Sequence, residues 1–305
     1  MRFYLFAALL LPAFLLLSAC QTISQDGDSA SVNHDVTGIL PLATAVQISY
    51  QDEVNLLRIN QLLAEQKKLD ERQRAHLFYE RGLIYDRMGL SAHSRYDLSQ
   101  AISIDPSFAP AYNTLGLYLL LSRSYDDAFE AFDSALELSD KMNYSYLHRA
   151  IGLYQIQRYS LASKDIEIFY ALDRNDPYRI LWRYIINSKI DHTEALTALQ
   201  NAQQLNEDDR FAWSLIDVIA GRTTEKQFFE TVSYGVDTNK ELAKRLSEAY
   251  FYLAHWHKLS GDLDKAIYYF KLTTAGNIHD FIEYKYALME LTSIQLMLKT
   301  DTDSF

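Results

Sequence analysis

The sequence predicts an all-α fold in which pairs of antiparallel helices repeat and stack into a solenoid, with further helices outside the repeats. Three observations lead to this prediction. Glycine and proline are scarce, with 10 and 5 occurrences in 305 residues, which favours helices over strands and loops. Apolar residues recur at helical spacing along most of the chain. Small and large residues also recur with a period of about 34 residues, which is typical of stacked helical repeats.

Residues 1–19 resemble a bacterial lipoprotein signal peptide. Arg2 precedes an apolar run, Phe3 to Leu17, which is too short to span a bilayer and suits a signal-peptide core. The run ends in Leu17-Ser18-Ala19-Cys20, which resembles a lipobox, and Cys20 is the only cysteine. The resemblance implies N-acyl and S-diacylglycerol groups on Cys20, and several acyl chains give stable membrane attachment. The alternatives are an ordinary secretory signal and an uncleaved anchor helix.

The residues after the lipobox predict an outer-membrane location, with the folded part facing the periplasm. Gln21 stands where an aspartate would resemble an inner-membrane retention signal. Residues 20–40 are mostly polar and small, so we expect a lipidated N-terminus and a flexible tether, followed by a helical domain at 41–305. The formal net charge is −11 at pH 7. An acidic chain without a basic block is not expected to bind nucleic acid.

Four segments match the tetratricopeptide repeat, in which small residues at fixed positions let two helices approach closely. Three are contiguous, at 75–108, 109–142 and 143–176, and the fourth spans 247–280. The third copy is degenerate because Phe169 replaces a small residue. The pattern is carried by Phe78, Gly82, Ser94, Leu98 and Ala101, then Tyr112, Gly116, Ala128, Phe132 and Ala135, then Tyr146, Ala150, Ala162 and Ile166, and finally Tyr250, Ala254, Ala266 and Phe270.

Other helices are expected around the repeats. A first helix is predicted from Pro41 to Gln66. The stretch 177–246 keeps helical spacing without the repeat, and Asp191-His192-Thr193-Glu194 and Thr224-Glu225-Lys226-Gln227 within it resemble capping boxes. We therefore expect a non-repeat helical insert there. A closing helix is predicted over 281–297.

Stacked repeats are expected to form a concave inner face that binds a peptide. In tetratricopeptide repeats this face is lined chiefly by fixed positions of each first helix. On this chain those positions hold His76, Tyr79, Leu83, Asp86, Asn113, Leu117, Leu120, Tyr144, Leu147, Ile151 and Tyr154. They are mainly apolar and aromatic, which suits an extended or helical peptide. The alternative is that they pack against the chain's own N-terminal helix or insert, because apolar residues at helical spacing are usually core.

No pattern typical of catalysis, of a metal site or of a cofactor is present in the sequence. The single cysteine, Cys20, is assigned to lipidation, and no HExxH, GxSxG or P-loop motif occurs. His255 and His257 are expected on one helix, where side chains two residues apart point in different directions. Asp126-Asp127 and Asp208-Asp209 are best explained as a helix cap and a solvated loop. We therefore predict a protein that is not an enzyme.

The order of these features resembles the NlpI family of outer-membrane lipoproteins across nearly all of the chain after Cys20. The likeness is carried by Tyr79-Glu80-Arg81-Gly82, Tyr85-Asp86, Asn113 to Gly116, Ala128 to Ser134, Asn175-Asp176-Pro177, Gly261 to Asp264, Phe270-Lys271-Leu272 and Tyr286 to Leu291. It implies a homodimeric, non-catalytic scaffold. Such proteins gather peptidoglycan hydrolases, notably murein endopeptidases, and present a client to a tail-specific periplasmic protease.

The sequence thus favours an adaptor that regulates cell-wall synthesis and division by bringing a hydrolase and a protease together. Colocalisation of this kind raises effective concentration without new chemistry. Two alternatives stay open: a lipid-anchored peptidoglycan hydrolase with an unrecognised carboxylate site, and an accessory lipoprotein of an outer-membrane assembly complex.

Overall fold

The structure is a computed structural model that describes residues 40–65, 68–202 and 208–302. The predicted signal peptide, Cys20 and most of the predicted tether lie outside the described residues. Those residues form fourteen helices and no strand. The helices are α1 (Tyr50–Ala64), α2 (Glu71–Arg87), α3 (Ser91–Ile104), α4 (Ala109–Leu121), α5 (Tyr125–Leu138), α6 (Asn143–Gln155), α7 (Tyr159–Ala171), α8 (Pro177–Asn187), α9 (His192–Ala202), α10 (Ala212–Ile219), α11 (Glu225–Thr231), α12 (Asn239–Leu259), α13 (Leu263–Ala275) and α14 (Ile282–Thr302).

Three helical pairs, α2–α3, α4–α5 and α6–α7, form the contiguous repeats. Gly116 shows why small residues recur, because a Cβ atom there would lie 2.7 Å from the Phe132 ring of the paired helix. The turn between α2 and α3 uses Gly89 at φ +75°, a conformation that glycine adopts without strain. In the third pair the large Phe169 is buried, with the Arg179 guanidinium 4.1 Å from its ring centroid. The fold is the predicted all-α solenoid of tetratricopeptide repeats with extra helices.

The first helix begins later than the sequence suggested. Residues 40–49 are not helical, and α1 starts after Ser49, whose side chain accepts a hydrogen bond from the Gln51 amide. The preceding segment runs along α12 and α13 instead. The backbone of Thr44 exchanges two hydrogen bonds with the Asn239 side chain, at 2.9 and 2.8 Å, and the Val46 amide donates to the Gly276 carbonyl. These partners satisfy backbone groups that a helix would otherwise have paired.

The insert supplies α8 to α11, and the fourth repeat is formed by α12 and α13. Helix α12 begins at Asn239, well before the repeat pattern, because Thr238 and Glu241 form a capping box. Helices α8 and α10 pack against α12, so the insert is joined to both the third and the fourth repeats. The closing helix, α14, extends beyond the predicted 281–297 to Thr302. None of the helices in the described ranges has the length and apolarity needed to cross a membrane.

Candidate partner-binding cleft

The closing helix α14 lies along the inner face of the solenoid. Lys285 donates from Nζ to Asp86 Oδ2 on α2 at 2.8 Å. The Tyr286 hydroxyl is 2.6 Å from His148 Nδ1 on α6, and the Tyr286 ring stands edge-on to Trp182 of α8. Helices α2 and α6 are first helices of their repeats, so α14 occupies the surface that these helices line.

This position corrects the expectation of an open groove. Five of the eleven predicted lining residues are buried in the core: Leu117, Leu120, Leu147, Ile151 and Tyr154. The N-terminal helix and the insert were the possible occupants expected from the sequence; the closing helix α14 lies on this face, and α8 of the insert packs on both α6 and α14. All five side chains are removed from water, so these residues do not offer a docking surface for a partner.

The other six predicted residues remain at least partly accessible. His76 and Tyr144 are exposed, whereas Tyr79 and Leu83 are half-buried. Asn113 is half-buried and accepts a hydrogen bond from the Ser145 hydroxyl at 2.7 Å. Asp86 is also half-buried and binds both Lys285 and the Tyr118 hydroxyl. The structure therefore brings Asp86 together with α14 rather than leaving it free in a groove.

A buried ion pair joins the middle of α14 to α12 and α6. Lys258 Nζ lies 2.5 Å from Glu290 Oε2, and Gln155 Nε2 donates to Glu290 Oε1 at 2.8 Å. Burial raises the pKa of Glu290, but the attraction to Lys258 outweighs it and holds the pKa below its usual value. This pair was not predicted from the sequence. Its only local signal is a charged residue between the apolar positions Met289 and Leu291.

Two carboxyl groups meet where α14 begins. The Tyr178 hydroxyl donates to Glu248 Oε2 at 2.6 Å, and the Tyr252 hydroxyl donates to Glu283 Oε1 at 3.3 Å. Burial raises the pKa of both carboxyl groups, and the charge of Glu248 raises that of Glu283 further. Both groups therefore hold their protons more tightly than exposed glutamates do.

One accessible part of the inner face is a cleft of about 460 Å³ between the α2–α3 turn, α4 and α14. Its floor includes the Asp86–Lys285 pair and Tyr118. Burial and the Asp86 carboxylate raise the pKa of Tyr118, so its hydroxyl stays a donor. Arg95 is exposed at the edge. The remaining lining residues are Gly89, Ser91, Leu121, Ser122, His279, Tyr284, Leu288, Met289 and Thr292. This mixture of apolar, cationic and hydroxyl groups suits a peptide that carries a carboxylate.

The histidine pair of α12 does not converge on a common point. His255 is buried against Phe251 and Phe270, and burial lowers its pKa to about 4. His257 Nε2 lies 3.2 Å from Glu225 Oε2. Within the described ranges no group of three or more histidine, cysteine, aspartate or glutamate residues is arranged to hold a metal ion.

Several solved structures are distantly similar to this chain. No family model matches the sequence. Similar solved structures include YrrB, described as a TPR protein with an unusual peptide-binding site, at 13% identity over 71% of this chain and 90% of that chain, with a TM-score of 0.42. The C-terminal part of a TPR repeat-containing protein from Cytophaga hutchinsonii is 15% identical over 74% of this chain and 92% of its own, with a TM-score of 0.46.

A tetratricopeptide repeat protein from Parabacteroides merdae is 15% identical over 72% of this chain and 99% of its own, with a TM-score of 0.40. The packing of helices within this chain decides its architecture. The chain is a tetratricopeptide-repeat solenoid.

Proposed function

We propose that this protein is a non-catalytic outer-membrane lipoprotein adaptor that gathers peptidoglycan hydrolases, notably murein endopeptidases, and presents a client to a tail-specific periplasmic protease. The lipobox at Cys20 and the NlpI-like order of the repeats support the location and the partners. The observation that carries the proposal is the cleft beside α14. It is an accessible part of the repeat face on which the chain's own helix α14 lies, so a partner docks there against both the repeats and α14.

Affinity capture tests the proposal. The chain with Cys20→Ser, starting at residue 20, serves as bait in envelope extracts and should retain endopeptidases and the tail-specific protease. Arg95→Glu reverses a charge at the cleft edge and should reduce retention of at least one of them. Arg174→Glu makes the same change at an exposed position that does not line the cleft, and should leave retention intact. Failure of the parent bait to retain either class, with and without crosslinker, would contradict the proposal.

We also propose that the protein is a homodimer whose interface includes the outer side of α1. Tyr50, Val54 and Leu57 lie on one side of this helix, at spacings of one and two turns. Tyr50 is 79% and Leu57 is 70% exposed. The opposite side of α1 packs on α2. An exposed apolar stripe on a helix is typical of an interaction surface.

Sedimentation equilibrium tests the dimer. The parent should sediment at twice the chain mass, and Tyr50→Ser combined with Leu57→Ser should sediment as a monomer with unchanged helical content. Tyr96→Ser alters another exposed tyrosine, on α3, and should leave the dimer intact. A monomeric parent, or a dimer that survives the double substitution, would show that α1 is not the interface.

A further inference from the structure

Residues 40–48 belong to no helix and lie on α12 and α13. We call this segment the strap. The side chain of Asn239, the first residue of α12, binds the main chain of Thr44 in the strap. Its Oδ1 accepts a hydrogen bond from the Thr44 amide at 2.9 Å, and its Nδ2 donates to the Thr44 carbonyl oxygen at 2.8 Å. A side-chain amide can pair in this way with any residue except proline, so the contact recognises a backbone and not a particular side chain.

Two further hydrogen bonds hold the strap, and both also use its main chain. The Tyr250 hydroxyl donates to the Pro41 carbonyl oxygen at 2.5 Å. Burial raises the pKa of Tyr250, so this hydroxyl keeps its proton and stays a donor. The Val46 amide donates at 2.9 Å to the carbonyl oxygen of Gly276, the residue that follows α13. We call the surface formed by Asn239, Tyr250 and Gly276 the strap site.

The side chains of the strap are covered at every third residue. Leu40, Ala43 and Val46 are half-buried, and the first two pack against the hydrophobic core. Pro41 is half-buried as well, and the exposed positions are Leu42, Thr44, Ala45, Gln47 and Ile48. A polyproline II helix has three residues per turn, so it presents every third side chain to the same surface. The strap therefore has the pattern of an extended peptide bound through its backbone and one row of apolar side chains.

We propose that the strap site binds an extended segment of a protein partner, and that the strap occupies this site as an intramolecular competitor. The partner segment has an apolar side chain at every third residue and free backbone amides at the positions of Thr44 and Val46. The strap can leave the site without unwinding a helix, because it precedes α1. A tethered segment competes at an effective concentration of about millimolar, so the partner binds tightly once the strap is weakened or displaced.

The inference goes beyond the adaptor proposal, because the strap site shares no residue with the cleft beside α14. It assigns a second site and the chemistry of its ligand, whatever the partners of that cleft are.

Fluorescence anisotropy tests the inference. The protein is the chain from residue 20 carrying Cys20→Ser, and the probe is a fluorescein-labelled peptide with the sequence of residues 40–48. Thr44→Pro in the protein removes the amide that donates to Asn239, so the strap should compete less and the probe should bind at least about fivefold more tightly than to the parent. Ala45→Pro is the matched control, because Ala45 is exposed and its amide has no acceptor among the described residues. It should leave the affinity for the probe unchanged.

Three altered peptides, added to the protein with the weakened strap, test the ligand pattern. A peptide that keeps Leu40, Pro41, Ala43 and Val46 but has serine at every exposed position should bind as tightly as the strap sequence. Val46→Asp in the peptide places a charge against the site and should abolish binding. Ala45→Asp places the same charge at an exposed position and should leave binding intact.

Two measurements locate the binding. Excess peptide added to the isotope-labelled parent should move the amide signals of Thr44 and Val46 to random-coil shifts, because the strap is displaced. Asn239→Ala, combined with Thr44→Pro, should lower the affinity for the probe at least about fivefold, since two hydrogen bonds are lost. Asn201→Ala removes the same side chain at an exposed position on α9, and should leave the affinity unchanged.

Three outcomes would overturn the inference: no binding of the probe to the Thr44→Pro protein, equal affinities for the Thr44→Pro and Ala45→Pro proteins, or no binding of the serine-substituted peptide. The last would show that the site accepts only the strap's own sequence. None of these outcomes bears on the capture of hydrolases or of the protease, so the two proposals fail separately.

Discussion

The Lys258–Glu290 pair allows a quantitative test of how α14 is held on the inner face. Glu290 has a side chain that is 2% exposed, and the side chain of Lys258 is 20% exposed. Replacing Glu290 by alanine would leave the Lys258 ammonium largely buried without its carboxylate, and would remove the hydrogen bond from Gln155. Replacing Lys258 by methionine would leave the more deeply buried Glu290 without its cation.

The expected costs follow from this burial. Removing one partner of a buried ion pair typically destabilises a protein by about 3–5 kcal/mol. We expect about 3 kcal/mol for Glu290→Ala, because the partial exposure of Lys258 lets water solvate the ammonium, and a larger loss for Lys258→Met. The double substitution Lys258→Met and Glu290→Leu leaves no unpaired charge. It should lie within about 1 kcal/mol of the parent, since apolar replacements of buried pairs are often neutral.

Urea unfolding at pH 7, followed by tryptophan fluorescence, measures these differences. Trp182 reports on α14 directly, because its ring centroid lies 5.7 Å from that of Tyr286. Circular dichroism should give the same midpoints if unfolding is a single transition. A double variant as unstable as the sum of the two single variants would refute the reasoning, because the losses would then come from packing and not from an unpaired charge.

Three further predictions concern the core and its buried titratable groups. Gly116→Ala should lower the free energy of unfolding by about 1–3 kcal/mol, because the added Cβ meets the Phe132 ring; a loss below about 0.5 kcal/mol in urea unfolding would contradict the packing argument. Burial raises the pKa of Glu283, so the folded state keeps a proton that the unfolded chain has lost, and the parent loses stability as the pH rises from 5 to 8. The free energy of unfolding of Glu283→Gln should rise relative to that of the parent by at least about 1 kcal/mol over that range. A difference between the two proteins that stays constant from pH 5 to 8 would exclude this. Burial also lowers the pKa of His148 to about 3, so below pH 6.5 only the unfolded chain takes up the proton. The parent should therefore lose about 2 kcal/mol between pH 6.5 and 5 relative to His148→Gln, and an equal slope for both proteins would show that His148 is not responsible.

The helical pairs could be predicted from the sequence because the residues that determine them lie within the same helix or the same pair of helices. The small residues of the repeat, such as Gly116, are needed wherever two helices of a pair cross closely. The capping box at Thr224 and Gln227 forms as expected, with both reciprocal hydrogen bonds. Residues three or four positions apart decide such features, and the sequence shows these spacings directly.

The inner face could not be predicted in the same way. The contacts that place α14 there join residues far apart in sequence, such as Asp86 and Lys285. Apolar positions like Leu120 and Ile151 look the same whether a partner or the chain's own helix covers them. The non-helical segment before α1 depends equally on a distant partner, Asn239. The local sequence marks where this segment ends and α1 begins, because Ser49 followed by Asp52 and Glu53 is a typical helix start.

The contact of α14 with α2 affects how the whole chain unfolds. In an open array each repeat touches only its neighbours, so stability is a sum of local terms and the terminal repeats open first. Here Lys285 binds Asp86 across 199 positions of sequence, and the first repeat is bound to the last helix. Opening of either α2 or α14 therefore exposes the other helix. The amides of α2 and of α14 should show similar protection from hydrogen exchange, and the chain should unfold as one cooperative unit. During synthesis α14 emerges after all the repeats, so the apolar inner face of the early repeats stays uncovered until α14 has been made.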